Sequence, residues 1–181
     1  MSAMNAPVPE FSRPVPIDQI GTDECVYDIA AERHERAALA KRFGLVAIDA
    51  LTARVRARWI RGRKAIRLAA TFHAEVVQTC VVTLEPVPAV LDEAFEIGFA
   101  EAKRSEEDVE IIVSLDDDTE PLEGPILDIG EVVAEELALS LDPYPRHPDA
   151  AAQAEIGPEE GIGKTSSISP FAGLATKLRK G

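Results

Sequence analysis

The sequence predicts an α+β fold, with a mostly antiparallel β-sheet, two packed helices and a flexible C-terminal tail. Residues 51–59 and 64–76 alternate apolar and polar side chains with a period of two, which is the pattern of strands that bury one face. Residues 126–141 instead place apolar side chains at helical spacing. Because both periodicities occur in one chain, we expect helices to pack against the apolar face of a sheet.

The N-terminal part of this fold is predicted to begin with a strand and a helix. The segment FSRPVPI at 11–17 favours a short edge strand, because Pro14 and Pro16 cannot donate to a ladder. A helix is expected from about Ala30 to Phe43, and Gly44 suits its C-terminal cap.

A β-hairpin is predicted next, because two alternating runs surround the glycine-containing turn IRGR. Its strands are LTARVRARW and KAIRLAATFHAEV. The segment VPAVLDEAFEIGFAE at 87–101 is expected to form a third strand paired with the second, and DVEIIVSL at 108–115 a weaker fourth strand.

The segment DDDTEPLEGP predicts an acidic loop, and ILDIGEVVAEELALSL after it is the strongest helix signal in the chain. Asp128 can cap the start of this helix, Glu131 follows three residues later as in a capping box, and Pro143 closes the end. The apolar stripe consists of Ile129, Val132, Val133, Leu137 and Leu141.

We expect residues 11–148 to form a single domain between a disordered N-terminus at 1–10 and a flexible tail at 149–181 with a short basic amphipathic end. The sequence has no run of about 18 apolar residues and no basic start followed by an apolar stretch, so neither a membrane span nor a secretory signal is expected. Two cysteines are too few for a disulfide framework. These features favour a cytoplasmic protein.

Charge is sorted along the chain, whose formal net charge is −13. This net charge argues against nonspecific adhesion to nucleic acid by the whole surface. The segment from Arg54 to Arg67 holds seven cations, with no acid between Asp49 and Glu75. The segment from Asp92 to Asp142 holds 18 acids and only two cations. Such asymmetry points to charged partners.

Metal binding and catalysis are not expected from the residue spacing. Structural zinc needs about four Cys or His ligands, usually in closely spaced pairs, and the cysteines and histidines here are scattered. Cys80 is therefore interpreted as a small buried residue at the end of a strand. It has no nearby histidine that could activate it, and GPEEGIGK lacks the strand and the helix that flank a phosphate-binding loop. We expect a protein without enzymatic activity and without a cofactor.

The arginine-rich hairpin is the sharpest functional signal. Alternate arginines on one strand project from the same face at intervals of about 7 Å, and guanidinium groups suit phosphate oxygens. The alternative is a solvated face, or one neutralised by the acidic half of the chain. Contacts with RNA would be mostly to the backbone and sensitive to salt. The candidate RNA-binding residues are Arg54, Arg56, Arg58, Arg61, Arg63 and Lys64.

Three segments resemble the YceD family, the large ribosomal RNA subunit accumulation proteins: CVVTLEPV at 80–87, ILDIGEVVAEELALSLDPYPRHP at 126–148 and SPFAGLATKLRK at 169–180. The residues that fit the family motifs are Cys80, Leu84, Pro86, Val87, Asp128, Gly130, Glu131, Glu135, Glu136, Leu137, Pro145, His147, Pro170, Phe171 and Leu174. Thr83 stands where relatives carry a second cysteine, which puts any metal role of such relatives in doubt here.

The resemblance implies a cytoplasmic, non-enzymatic factor in the synthesis, processing or stability of large-subunit ribosomal RNA. We expect the arginine hairpin to contact that RNA. We also expect Glu131, Glu135 and Glu136 to meet a basic ribosomal protein or another assembly factor. The alternative is an acidic adapter for such a protein without RNA contact. A small hydrolase with a carboxylate site is a third hypothesis, which would require acids with raised pKa values in a deep pocket.

Overall fold

The structure, a computed structural model, describes residues 9–60, 62, 64–101, 119–122 and 124–150. The chain divides into two units, Met1–His147 and Pro148–Gly181, and the elements below belong to the first. They are β1 (Pro14–Pro16), β2 (Cys25–Ala30), α1 (Arg33–Phe43), β3 (Ala47–Ile60), β4 (Ala65–Thr79), β5 (Pro86–Glu101), β6 (Thr119–Leu122), β7 (Ile126–Asp128) and α2 (Ile129–Ser140).

The strands form two sheets, which confirms the predicted α+β class. The larger sheet has the order β2-β3-β4-β5-β6 and is antiparallel except for the parallel pair β5 and β6. A small antiparallel sheet joins β1 to β7. The helices α1 and α2 contact the larger sheet, at β3 and at β4 and β5 respectively.

The predicted hairpin is present, and the alternation of side chains sets which face of each strand is buried. On β3 the apolar residues from Leu51 to Ala57 are buried and the polar residues between them are exposed. On β4 the alternate residues from Ile66 to Val76 are buried in the same way. Both strands therefore direct one face into the core and the other face into solvent.

The first helix begins later than predicted, at Arg33, because residues Cys25–Ala30 form strand β2. The alternating burial in CVYDIA and its pairing with β3 outweigh the helical tendency of the alanines near its end. Gly44 ends α1 in the left-handed conformation, as predicted, with φ 68°.

The second helix has the predicted apolar stripe, with Val133 and Leu137 fully buried. Asp128 caps it by accepting hydrogen bonds from the backbone N–H groups of Gly130 and Glu131. The predicted capping-box role of Glu131 is wrong. Its carboxylate instead forms an ion pair of 2.7 Å with Arg42 at the end of α1.

Asp128 also fastens the N-terminal segment to α2. Its carboxylate accepts hydrogen bonds from the Ser12 hydroxyl and from the backbone N–H of Arg13 at 2.7 Å. Next to it, a Cβ on Gly130 would collide with the carbonyl oxygen of Phe11, so only glycine fits this close approach. The segment DIGE at 128–131 therefore caps α2 and also holds the chain before β1 against the start of this helix.

The acidic loop expected at 116–125 is partly wrong, since Thr119–Leu122 forms β6 and pairs with β5. Leu122 is buried, which explains why this polar segment is held against the sheet. The predicted fourth strand at 108–115, the N-terminus at 1–8 and the tail beyond 150 lie outside the described residues. In the part of the chain that the structure describes, no helix is long and apolar enough to cross a membrane.

Candidate nucleic-acid interface

The three alternate arginines of β3 lie on the exposed face of the five-stranded sheet. Arg54, Arg56 and Arg58 are exposed, and the residues between them, Val55 and Ala57, are buried. The period-two alternation therefore places the three guanidinium groups on one side, about 7 Å apart along the strand.

One of these arginines is already paired. Arg54 donates from Nε to one carboxylate oxygen of Asp28 at 2.7 Å and from a terminal nitrogen to the other oxygen at 3.0 Å. The bonds lower the pKa of Asp28, which shows that the carboxylate is stabilised in its charged form. Asp28 lies directly opposite Arg54 on β2, so the neutralising acid comes from the N-terminal half of the chain.

Arg56 and Arg58 differ from Arg54, because no ion pair between described residues includes either of them. Arg58 lies directly opposite Arg67 of β4. Arg67 forms an ion pair of 2.9 Å with Glu96 of β5. The acidic half thus neutralises the edge of the patch at Arg67 and leaves Arg56 and Arg58 unpaired within the described chain.

The turn of the hairpin extends the patch toward Lys64. Lys64 is exposed, and its backbone N–H donates to the carbonyl oxygen of Ile60 at 3.2 Å. Gly62 has φ 66°, a conformation that favours glycine in this short turn. Arg61 and Arg63, the other two predicted residues, lie outside the described residues.

The opposite end of the same face carries acids. His73 on β4 forms a hydrogen bond of 2.7 Å with Asp92 of β5. This bond raises the pKa of His73, burial opposes the increase, and the charges of Asp92 and of Glu75 add to it. The face therefore changes from positive near the hairpin turn to mixed charge near Asp92, with Arg54 and Asp28 between the two ends.

The predicted protein-binding acids on α2 are not equivalent. The ion pair with Arg42 leaves Glu131 mostly buried, with 23% of its side chain exposed. Burial raises the pKa of Glu135 and of Glu136, and the charge of Glu120 on β6 raises both further. Glu135 and Glu136 thus form an acidic surface with Glu120, and among the described residues the cation that lowers the pKa of Glu135 is Arg42.

Cys80 is fully buried, as predicted, directly after the end of β4. Its sulfur accepts hydrogen bonds from the backbone N–H groups of Val82 at 3.4 Å and of Thr83 and His147 at 3.3 Å. Burial raises the pKa of the thiol, but these donors and the Thr83 hydroxyl outweigh it and lower the pKa to about 6. Among the described residues, no three His, Cys, Asp or Glu side chains come together in a way that could hold a metal ion.

Two features of this surface were not anticipated from the sequence. The pairing of Arg54 with Asp28 was missed because β2 was not recognised as a strand, although the alternation in CVYDIA signals it. The sequence also predicts no role for the cations of α1, which include Arg33, Arg36 and Lys41 and lie on a separate element.

The structure is that of an acidic α+β protein whose exposed sheet face carries Arg56 and Arg58, which no ion pair between the described residues includes. A family model described as "Large ribosomal RNA subunit accumulation protein YceD" matches residues 68–176, more than half of the chain. The chain belongs to the YceD family, whose name connects its members with accumulation of large-subunit ribosomal RNA. Comparisons with curated proteins and with solved structures gave no match. The matched range begins within β4, so it excludes β3 and its arginines.

Proposed function

We propose that this protein is a non-enzymatic cytoplasmic factor that supports accumulation of large-subunit ribosomal RNA by binding the RNA backbone. The exposed arginines of β3 make the contact, together with Lys64 and, at the turn, Arg61 and Arg63. The family membership supports the coarse role, and the geometry of β3 supports the mode of binding.

The observation that carries this proposal is that Arg56 and Arg58 have no ion-pair partner among the described residues of a protein of net charge −13. Acids are abundant, and Arg54 and Arg67 on the same face do have carboxylate partners. A strip of unpaired guanidinium groups at intervals of about 7 Å suits successive phosphates of a flexible strand, because each group can form two hydrogen bonds to one phosphate.

The test compares the full chain with the variant Arg54→Ala/Arg56→Ala/Arg58→Ala in binding to a large-subunit ribosomal RNA fragment over a range of salt concentrations. Each lost phosphate contact should lower the slope of log affinity against log salt by about 0.7–0.9. Arg54→Ala alone should have a smaller effect than Arg56→Ala or Arg58→Ala, because Arg54 must first leave Asp28.

The matched control is Arg146→Ala, which removes an exposed cation after α2, away from β3 in sequence. It should bind the fragment with the affinity of the unchanged chain. A triple variant that keeps both the affinity and the salt slope would contradict the RNA contact. An equal loss on a small-subunit RNA fragment of the same length would show that selectivity for the large subunit is not set by these arginines.

A second candidate function is an adapter that binds a basic ribosomal protein or assembly factor without touching RNA. The acidic surface of Glu120, Glu135 and Glu136 favours it, because the charge of Glu120 adds to the effect of burial in raising the pKa values of Glu135 and Glu136, which places three carboxylates near one another. This function predicts that Glu135→Gln/Glu136→Gln weakens binding to the basic protein, whereas the triple arginine variant leaves that binding unchanged.

A further inference from the structure

A depression of about 760 Å³ lies on the exposed face of the larger sheet, between two neighbouring rows of cross-strand partners. One row consists of Asp28, Arg54, Thr71 and Ala94, and the other of Ala30, Thr52, His73 and Asp92. Ala53 and Phe72, in the row between these two, are buried on the other face of the sheet, so their backbone forms part of the floor. The volume is within the range of about 300–1,000 Å³ that is typical of small-molecule sites.

Arg54 and His73 lie across this depression from each other as diagonal neighbours. Arg54 is directly opposite Thr71 on β4, and His73 is two residues further along that strand. Diagonal neighbours on one face of a sheet lie about 7–8 Å apart. A planar ring between two groups makes van der Waals contact at about 3.5–4.0 Å on either side. The spacing of Arg54 and His73 therefore suits one planar ring, and the smaller side chains of Thr52 and Thr71 occupy the other two corners.

Carboxylates hold both of these planar groups. Arg54 donates two hydrogen bonds to Asp28, at 2.7 and 3.0 Å, and this bidentate contact fixes the plane of the guanidinium group. The His73 ring is held by its hydrogen bond of 2.7 Å with Asp92. The side chains of Arg54 and His73 are 63% and 40% exposed, so a ligand can reach them. Because Asp28 already compensates its charge, the guanidinium group of Arg54 suits stacking on a base better than binding a phosphate.

Arg56 stands next to the depression. It follows Arg54 by two residues on the same face of β3, about 7 Å farther along the strand, and no ion pair between described residues includes it. A phosphate bound at Arg56 would bring its own base within reach of the depression. In duplex RNA the bases are paired and stacked within the helix, whereas an unpaired base can turn outward and stack on a side chain. The arrangement therefore favours single-stranded over duplex RNA.

We propose that the depression holds one unpaired base of single-stranded RNA between the Arg54 guanidinium and the His73 imidazole, next to phosphates bound by Arg56 and Arg58. This rests on the proposed function, and it gives Arg54 a contact with a base in place of a phosphate. The hydroxyls of Thr52 and Thr71 can donate to or accept from the edge of the base. Because every base has a planar face, the depression adds affinity without a strong sequence preference.

The test measures binding of the full chain to two octameric probes by fluorescence anisotropy. One is a fluorescein-labelled oligouridylate, and the other is the same ribose-phosphate chain with an abasic site at every position. The two probes carry the same phosphates, so the ratio of their affinities reports contacts with bases and cancels the electrostatic contribution. The unchanged chain should bind the oligouridylate about fivefold or more tightly than the abasic probe, as expected for one stacked base.

Two variants remove the walls of the depression, and each has a matched control. Arg54→Lys keeps the charge and loses the plane, and should lower the ratio toward one, whereas Arg67→Lys, at another ion-paired arginine of the same face, should keep it. His73→Ser should also lower the ratio, and His73→Phe, which restores a planar ring, should keep it. Arg56→Ala should weaken binding of both probes by the same factor, because it removes a phosphate contact.

The outcomes separate the stacked base from phosphate binding. A ratio of one for the unchanged chain would overturn the stacked base, and weaker binding of both probes by Arg56→Ala would then show that phosphate binding stands without it. A ratio that survives both Arg54→Lys and His73→Ser would place the base contact elsewhere and would also overturn the proposal. If the unchanged chain binds neither probe, RNA backbone binding fails together with the stacked base.

Discussion

Arg58 of β3 lies directly across from Arg67 of β4 on the exposed face of the sheet. Like charges at directly opposed positions destabilise a pair of strands, so this arrangement has a cost that nothing in the packing of the sheet requires. Natural proteins accept such local costs most often where a surface binds something, which is why the pair is a sensitive test of the RNA proposal.

Replacing Arg58 by glutamate should separate stability from binding. Arg58→Glu converts a repulsive pair into an attractive one with Arg67 and should raise the free energy of unfolding by ~0.2–1 kcal/mol, measured by urea denaturation. The same variant should bind large-subunit ribosomal RNA more weakly than Arg58→Ala. Arg56→Glu is the control, since Arg56 faces Ala69 and should weaken RNA binding without the gain in stability. A stabilised Arg58→Glu variant that binds RNA fully would contradict the interface.

Asp128 accepts hydrogen bonds from Ser12, from Arg13 and from the first turn of α2, and we call this set of bonds the clasp. The clasp should be a main determinant of stability. Asp128→Ala removes the cap of α2 and the acceptor for Ser12 and Arg13 together, so it should lower the free energy of unfolding by ~2–3 kcal/mol in urea denaturation. Asp18→Ala, at an exposed site, should change it by less than ~0.5 kcal/mol. Similar values for the two variants would show that the clasp contributes little.

A methyl group at Gly130 should be more harmful than one at Gly44. Gly44→Ala meets no atom within 4 Å and should cost only the ~1 kcal/mol of a left-handed alanine. Gly130→Ala forces the carbonyl of Phe11 away from α2 and should cost ~1–3 kcal/mol, together with protease sensitivity of the N-terminal segment. Equal losses of unfolding free energy in the two variants would mean that the segment around Phe11 shifts away from the added methyl group at little cost.

The elements with long periodic patterns of apolar residues could be predicted from the sequence, and the short elements could not. The β3–β4 hairpin, β5 and α2 have long patterns that fit one periodicity over many residues. Strand β2 is short and runs into the alanine-rich start of a helix, so local propensity assigned its end to α1. Strand β6 lies in an acidic, proline-containing segment, and it is a strand because of its long-range pairing with β5 and the burial of Leu122.

The same limit applies to the candidate site: the sequence predicts the face on which a residue lies, but not the residue that it pairs with. Alternation alone sufficed to place Arg54, Arg56 and Arg58 on one exposed face. Whether each was neutralised depended on cross-strand partners, Asp28 for Arg54 and none within the described chain for Arg56, and a single sequence does not specify register. For Glu131, the position in the sequence predicts a capping box, but in the structure its carboxylate pairs with Arg42 instead.

The thiol of Cys80 should make stability depend on pH. Its folded pKa of about 6 lies below the reference value of 9.0, so the folded state favours the thiolate. The stabilisation is fully present above the unfolded pKa and is lost as the pH falls through about 6. Urea denaturation between pH 6 and 9 should therefore show stability that rises with pH, less so in Cys80→Ala. Thiolate absorbance of a Cys25→Ser variant should titrate with a midpoint near 6, and a midpoint near 9 would contradict the hydrogen-bonded sulfur.

His73 should titrate above its usual range because Asp92 holds its protonated form. The bond of 2.7 Å raises the pKa of His73, so the stability that the protonated pair contributes is present below the unfolded pKa of 6.5 and is lost as the pH rises through the higher folded value. Asp92→Asn should lower the midpoint of the His73 ring resonances in NMR titrations. Glu75→Gln should lower it less, because the Glu75 carboxylate lies 3.7 Å from the ring nitrogen it faces. An unchanged midpoint in Asp92→Asn would show that the hydrogen bond is not formed in solution.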